Sequence, residues 1–152
     1  MQISGFSPRA VLAQFVRSFT LIETRYEATR TLLPDTGMVL GIRYGGFARQ
    51  LDHDRTCCLP DASLAGMRAS ARRMYTSPNA GVVLAIFQTS GAAAFFAEPL
   101  HELFGKTTPL DEILPASELE RTANRVAEAR EPRARVAGLE RMVLARLRHD
   151  RG

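Results

Sequence analysis

The sequence predicts an α+β domain in which an antiparallel, barrel-like β-sheet is followed by three to four C-terminal helices. Many short β-prone segments, separated by turn residues, occupy about residues 1–89. After Thr89 the hydrophobic period changes from two residues to about 3.6, which indicates helices over about 90–152. The chain has 152 residues, of which 45% are hydrophobic and 24% charged, so one folded domain with a hydrophobic core is expected.

The first half is assigned in chain order from caps, alternation and turns. A short helix is predicted at the start, with Ser7 as its N-cap and Pro8 at its first position. Gly45 and Gly46 permit a bend or bulge between two strands. The alternating segments predict strands over 18–26, 29–33, 38–44, 47–51, 56–59, 63–68, 72–76 and 82–88. A closed antiparallel arrangement of such short strands would be cupin-like.

The second half carries helix signals. Ser90 is a candidate cap for a helix over 91–97, and a short helical turn follows Pro99 and ends at Gly105. Ser117 and Glu120 have the spacing of a capping box. A last amphipathic helix is predicted to begin near Pro132.

The formal net charge of +4 invites a nucleic-acid interpretation, but the pattern of charges argues against it. Lys106 is the only lysine, and many arginines alternate with acidic residues, as they do over 118–121 and 128–131. We therefore expect the chain itself to bind duplex DNA only weakly and without sequence preference.

Targeting and cysteine patterns favour a cytoplasmic protein. No run of about 18 uncharged apolar residues predicts a membrane span, and the first residues lack the basic start and apolar block of a secretory signal. Cys57 and Cys58 are neighbours and offer no disulfide framework, so two reduced, partly buried thiols are expected.

No constellation for catalysis or metal binding is evident in the sequence. His53, His101 and His149 are the only histidines, and none has a metal-type spacing to a partner. The chain contains neither a G-x-S-x-G motif nor a phosphate-binding loop. We expect no enzyme activity, no catalytic residue, no metal and no cofactor.

The order of motifs resembles the N-terminal sensor domains of AraC-type bacterial transcription regulators. The run 32–40, which reads LLPDTGMVL, is similar to their L-P-D-G segment. Residues 81–96 are similar to their strand, glycine-rich step and helix with paired aromatics, and they continue into EPLHELFG at 98–105 and PLDEI at 109–113. Thr36, Val39 and Arg43 depart from the residues that the family usually carries at these positions.

The resemblance implies a ligand-sensing and dimerisation domain that spans residues 1–152 and controls a tethered DNA-binding domain. Such a domain precedes two helix-turn-helix motifs, so the native reading frame is expected to continue for about 100 residues. The implied partners are an unknown small-molecule effector, a second copy of the chain, and promoter DNA through the C-terminal domain alone.

Two sets of residues are the candidate sites. In the strand 38–44 one set of alternating side chains should face the barrel interior, and Arg43 and Tyr44 are the polar candidates near its mouth. Phe87 and Gln88 are their expected counterparts on the strand 82–88. On the last helix, a wide apolar stripe with Leu139, Met142 and Val143 is expected to form the dimer interface, with Met142 facing outward, although packing within its own domain is an equal alternative.

Two other functions remain open from the sequence. One is a small ligand-modifying enzyme on a β-barrel, and the other is a stand-alone small-molecule-binding protein. The downstream reading frame would separate the regulator from the stand-alone protein, and a substrate screen would test the enzyme.

Overall fold

The structure of the chain, a computed structural model, describes residues 1–32, 37–51, 56–97 and 99–151, without the side chains of 148–151. The strands that they form belong to two antiparallel sheets. The strands are β1 (Gln2–Phe6), β2 (Val16–Thr24), β3 (Ala28–Leu32), β4 (Val39–Gly45), β5 (Ala48–Leu51), β6 (Thr56–Cys58), β7 (Ala62–Ala65), β8 (Arg72–Thr76), β9 (Ala80–Phe87) and β10 (Thr107–Pro109).

The larger sheet has the strand order β1-β2-β9-β4-β7-β10, and the smaller sheet has the order β3-β8-β5-β6. The prediction of one closed barrel is therefore wrong for the described strands. The reason lies in the pairing: β3 pairs with β8 and not with its neighbours along the chain. Alternation predicts which segments are strands, but it does not predict which sheet each strand joins.

The larger sheet is covered on one face by helices. In its β4, β9 and β2 strands the side chains alternate between the two faces, apart from a register shift in β2 between Val16 and Ser18, and one set forms the hydrophobic core with the helices. The other set points between the two sheets. Both faces of this sheet are therefore covered by another layer, and the side chains of the core face are among the most buried of the described residues: Phe19, Leu21, Leu40, Ile42, Val83 and Phe87.

Two α-helices close the chain, α1 (Ala116–Glu128) and α2 (Pro132–Arg151), and they pack on each other and on the larger sheet. The predicted start of the last helix near Pro132 is confirmed. The predicted capping box is wrong, because α1 begins at Ala116 after Pro115 and no side chain caps it. Short 3-10 helices at Gly91–Ala94, Leu100–Leu103 and Leu110–Glu112 take the place of the additional helices.

Local cap signals misled the prediction at two further points. The Ser7-Pro8 pair does not begin a helix of ordinary length: Gln2–Phe6 pairs with β2 as a strand, and only a 3-10 turn, Ala10–Leu12, follows. Ser90 lies in the left-handed region at φ 63° and its side chain makes no cap hydrogen bond.

The bend predicted at Gly45 and Gly46 is confirmed. The register between β4 and β9 shifts between Arg43 and Gly45, and Gly46 has φ 66°.

Two features of the surface complete the fold. Cys57 and Cys58 are exposed free thiols on β6, a short strand at the end of the smaller sheet, so the expectation of partly buried cysteines is wrong. In the part of the chain that the structure describes, no helix combines the length and apolar character that crossing a membrane requires.

Candidate functional site

A cavity of about 410 Å³ lies between the two sheets. Ligand cavities in proteins commonly measure about 300–1,000 Å³, so this volume fits a small organic molecule. The larger sheet contributes residues of β2, β4, β7, β9 and β10, and the smaller sheet contributes residues of β3 and β8. The cavity is therefore a consequence of the two-sheet architecture.

The walls of the cavity are formed by side chains on the strand faces that point away from the hydrophobic core. On β9 the cavity residues are Ala80, Val82 and Leu84, while Val83, between the last two, is fully buried in the core. On β4 Val39 and Gly41 line the cavity. The strict alternation of a β-strand thus assigns each neighbour to a different compartment.

Gly41 contributes to the width of the cavity. A Cβ atom at this position would lie 3.0 Å from Leu84 Cδ2 and 3.7 Å from Val82 Cγ2, both of which are side-chain atoms of the cavity wall. Any larger side chain would therefore extend into the space between the sheets.

One end of the cavity carries two guanidinium groups that converge on one hydroxyl. Arg68 Nη2 donates to Thr107 Oγ1 at 2.6 Å, and Arg72 Nη1 donates to the same oxygen at 3.5 Å. Burial, and then the positive charge of Arg68, lower the pKa of Arg72 to about 10. The three residues come from a loop, from the smaller sheet and from the larger sheet, so this cluster joins the two layers.

Arg43 lies near the C-terminal end of β4, away from the Arg68–Arg72–Thr107 cluster, and it also lines the cavity. Burial lowers its pKa, and the carboxylate of Asp61 opposes this shift. Thr24 and Thr76 are polar neighbours in this part of the wall. Thr24 Oγ1 donates to the carbonyl of Ser77 at 3.2 Å, which links the two sheets here.

Tyr44 follows Arg43 in sequence but lies on the opposite face of β4, outside the cavity. The guanidinium carbon of Arg135 on α2 lies 3.9 Å from the centre of the Tyr44 ring, and Arg135 Nη1 donates to the carbonyl of Val126 on α1. Burial and the nearby Glu23 carboxylate raise the pKa of Tyr44 to about 12. A Cβ atom on Gly81 would lie 2.4 Å from this ring, so the glycine makes room for it.

The other two candidate ligand residues also lie outside the cavity. Phe87 is fully buried in the core, with its ring centre 5.4 Å from that of Phe95 and 6.3 Å from that of Phe96. Gln88 follows the end of β9, and its Nε2 donates to the carbonyl of Ala13 at 3.5 Å. The expectation that Arg43, Tyr44, Phe87 and Gln88 share one cavity is wrong, because Tyr44 and Phe87 occupy the helix-facing side of their strands.

The cationic cluster was missed by sequence reasoning. Arg72, Met74 and Thr76 alternate along a strand whose boundaries were predicted, and all three line the cavity. This alternation was the available signal for Arg72. Arg68 and Thr107 carried no comparable signal, because they are far apart in the chain and meet only in the folded protein.

The candidate interface residues on α2 are buried in their own domain. Leu139 is 0% exposed, Met142 3% and Val143 2%. The expectation that Met142 faces outward is wrong, because α2 lies with this stripe against α1, β2 and β9. These three side chains are not available at the surface of the domain for a second copy.

Among the described residues no three His, Cys, Asp or Glu side chains are grouped so that they could hold a metal ion. His53 lies outside the described residues, as does the side chain of His149, and His101 is exposed. No protein-family model matches the chain, and no curated protein is significantly similar to it in sequence.

Proposed function

We propose that this domain senses a small-molecule effector and controls a tethered DNA-binding domain, as the N-terminal domain of an AraC-type regulator does. The observation that carries the proposal is the 410 Å³ cavity between the two sheets, with apolar walls and a few polar groups at its ends. The two facing sheets are consistent with an opened cupin-like arrangement, which is part of the same proposal.

The lining supports binding over catalysis. Of the described lining residues only Asp61 belongs to the residue types His, Cys, Asp and Glu, and it is exposed. General acid–base and nucleophilic catalysis usually need at least two such groups at hydrogen-bond distance from each other. The proposed role is therefore non-catalytic.

The β4 strand offers a route from the cavity to the helices. Arg43 faces the cavity and Tyr44, the next residue, contacts Arg135 of α2. A ligand that shifts Arg43 would also move Tyr44, because the two residues are neighbours on one backbone. The movement of Tyr44 would change the position of α2 on the larger sheet. An effector acts in this way only if it binds one of the two arrangements better than the other.

Filling the cavity tests whether it binds a ligand. The variant Gly41→Leu should fold, because the nearest atom to its Cβ, at 3.0 Å, is Leu84 Cδ2 at the end of a flexible side chain, and glycine is a poor strand residue. We expect it to lose all binding to a mixture of small carboxylates, amines and amides that the unmodified protein binds, as measured by ligand-observed NMR. Gly5→Leu is the control, because a Cβ there meets no atom within 4 Å. Equal binding by Gly41→Leu, or no binding by the unmodified protein, would contradict the proposal.

The domain is also proposed to form a homodimer, because a regulator that reads paired half-sites gains from two-fold symmetry. Since the apolar stripe of α2 is buried, an interface that includes this helix uses its exposed face, which carries Ala134, Ala137 and Arg141. Light scattering should give twice the chain mass of 16.8 kDa. Ala137→Glu should shift the mass toward the monomer and the exposed-loop control Ala69→Glu should not. A monomer mass for the unmodified protein would refute this part.

A further inference from the structure

The positive charge of the cavity goes beyond what a general small-molecule site requires. Of the described lining residues four are arginines, namely Arg30, Arg43, Arg68 and Arg72, and one, Asp61, is acidic. No carboxylate of the described residues lies within 4.0 Å of the guanidinium nitrogens of Arg43 or Arg72. Positively charged side chains therefore outnumber negatively charged ones among the described lining residues.

We propose that the cavity binds an amphipathic organic anion, with its acidic group at the Arg68–Arg72–Thr107 cluster and its apolar body between the sheets. This inference rests on the proposed sensing function and names the chemical class of its effector. A carboxylate is the simplest such acidic group.

The geometry of the cluster matches the needs of an oxyanion. Arg68 Nη2 and Arg72 Nη1 approach Thr107 Oγ1 from two different segments, which brings two positive charges to one point. Guanidinium groups bind carboxylates through short, charge-assisted hydrogen bonds. An anion at this point would also neutralise the mutual repulsion of the two arginines.

The unfavourable burial of the charged Arg72 side chain supports the same inference. Burial and the charge of Arg68 lower its pKa, so this position disfavours the charged form of the side chain. A charged group that is held at an unfavourable position where it could contact an anion is typical of a binding site.

The remaining wall suits an apolar body. Between the cluster and Arg43 the wall is made of Val39, Val82, Leu84 and Met74. From Val39 to Arg43 the strand spans about 13 Å, at about 3.3 Å per residue. This length accommodates a short alkyl chain or an aromatic ring behind the acidic group.

Octanoate and its uncharged amide, octanamide, test the inference by calorimetry on the unmodified chain. We expect octanoate to bind at least tenfold more tightly than octanamide. Arg72→Met should weaken octanoate binding by about tenfold to a hundredfold, as expected for the loss of a charged hydrogen bond, and should leave octanamide unchanged. Arg73→Met is the matched control, because Arg73 is the exposed neighbour on the other face of β8.

The outcomes separate this inference from the proposed function. Both probes could bind with equal affinity, with binding that Arg72→Met leaves unchanged and Gly41→Leu abolishes. In that case the cavity is a ligand site, but the proposal that its ligand is an anion is overturned. If octanoate does not bind, or binds as well to Gly41→Leu as to the unmodified chain, the inference fails. If octanoate binding is lost in both Arg72→Met and Gly41→Leu and kept in Arg73→Met, the inference stands.

Discussion

Replacing Gly91 by alanine is expected to destabilise the fold by about 3 kcal/mol or more, the upper range of overpacking effects. Gly91 is buried at the start of a 3-10 helix, and a Cβ there would lie 2.1 Å from the carbonyl oxygen of Phe15. Backbone atoms on both sides fix this contact: Gln88 N–H donates to the same Phe15 carbonyl at 2.7 Å, and Gly91 N–H donates to Gln88 O. The clash cannot be relieved by a rotamer change and requires these segments to separate.

Chemical denaturation followed by circular dichroism measures this loss. The control is Gly5→Ala, because Gly5 is on the edge strand β1 and a Cβ there has no atom within 4 Å. Its free energy of unfolding should stay within about 0.5 kcal/mol of that of the unmodified protein. A Gly91→Ala variant as stable as the Gly5→Ala variant would show that the packing at Phe15 is not as described.

Phe87→Ala is expected to lower the free energy of unfolding by about 3–5 kcal/mol. The side chain is fully buried where β9 meets the segment with Phe95 and Phe96, and its removal leaves a cavity among these packed core side chains. Domains of this size are stable by only about 5–15 kcal/mol, so this loss is a large fraction of the total free energy of unfolding.

The control for this experiment is Phe104→Ala, which truncates a 51% exposed ring on the same half of the chain. We expect its effect to be below about 1 kcal/mol in the same denaturation assay. Retention of full stability by Phe87→Ala would mean that Phe87 lies at the surface or in the ligand cavity. That result would restore the original expectation for this residue and contradict the assignment of the two strand faces.

The strands were predictable from sequence because alternation is a local property. The segments around β4, β8 and β9 were bounded to within a few residues, and the start of α2 at Pro132 was given by the proline and the apolar stripe. The bend at Gly45 and Gly46 followed in the same way, since only glycine adopts a positive φ at little cost.

The assignment of strand faces was not predictable in the same way. In β4 and β9 both sets of alternating side chains are largely apolar, because one set packs on helices and the other lines the cavity. Alternation therefore separates the two faces but does not say which face is the cavity. This ambiguity explains why Phe87 is predicted to line the cavity. Tyr44 belongs to the face opposite Arg43 by alternation alone, so its prediction as a cavity residue does not follow from the strand pattern.

The remaining differences arise from contacts between distant segments. The Ser7-Pro8 cap signal concerns one turn of helix, whereas the preceding residues gain a full antiparallel ladder with β2. The Arg68–Arg72–Thr107 cluster exists only because β10 pairs with β7 and brings Thr107 near the start of β8. Neither pairing is encoded in a short window of sequence.

The central claim, that the space between the sheets is a ligand site, is tested most directly by intermolecular nuclear Overhauser effects from bound octanoate to assigned methyl groups. The account predicts contacts to Val39, Val82 and Leu84, which line the cavity, and none to Leu40 and Val83, their immediate neighbours on the core face. Contacts to Leu40 and Val83, or contacts only to exposed methyl groups such as those of Ile3, would contradict it.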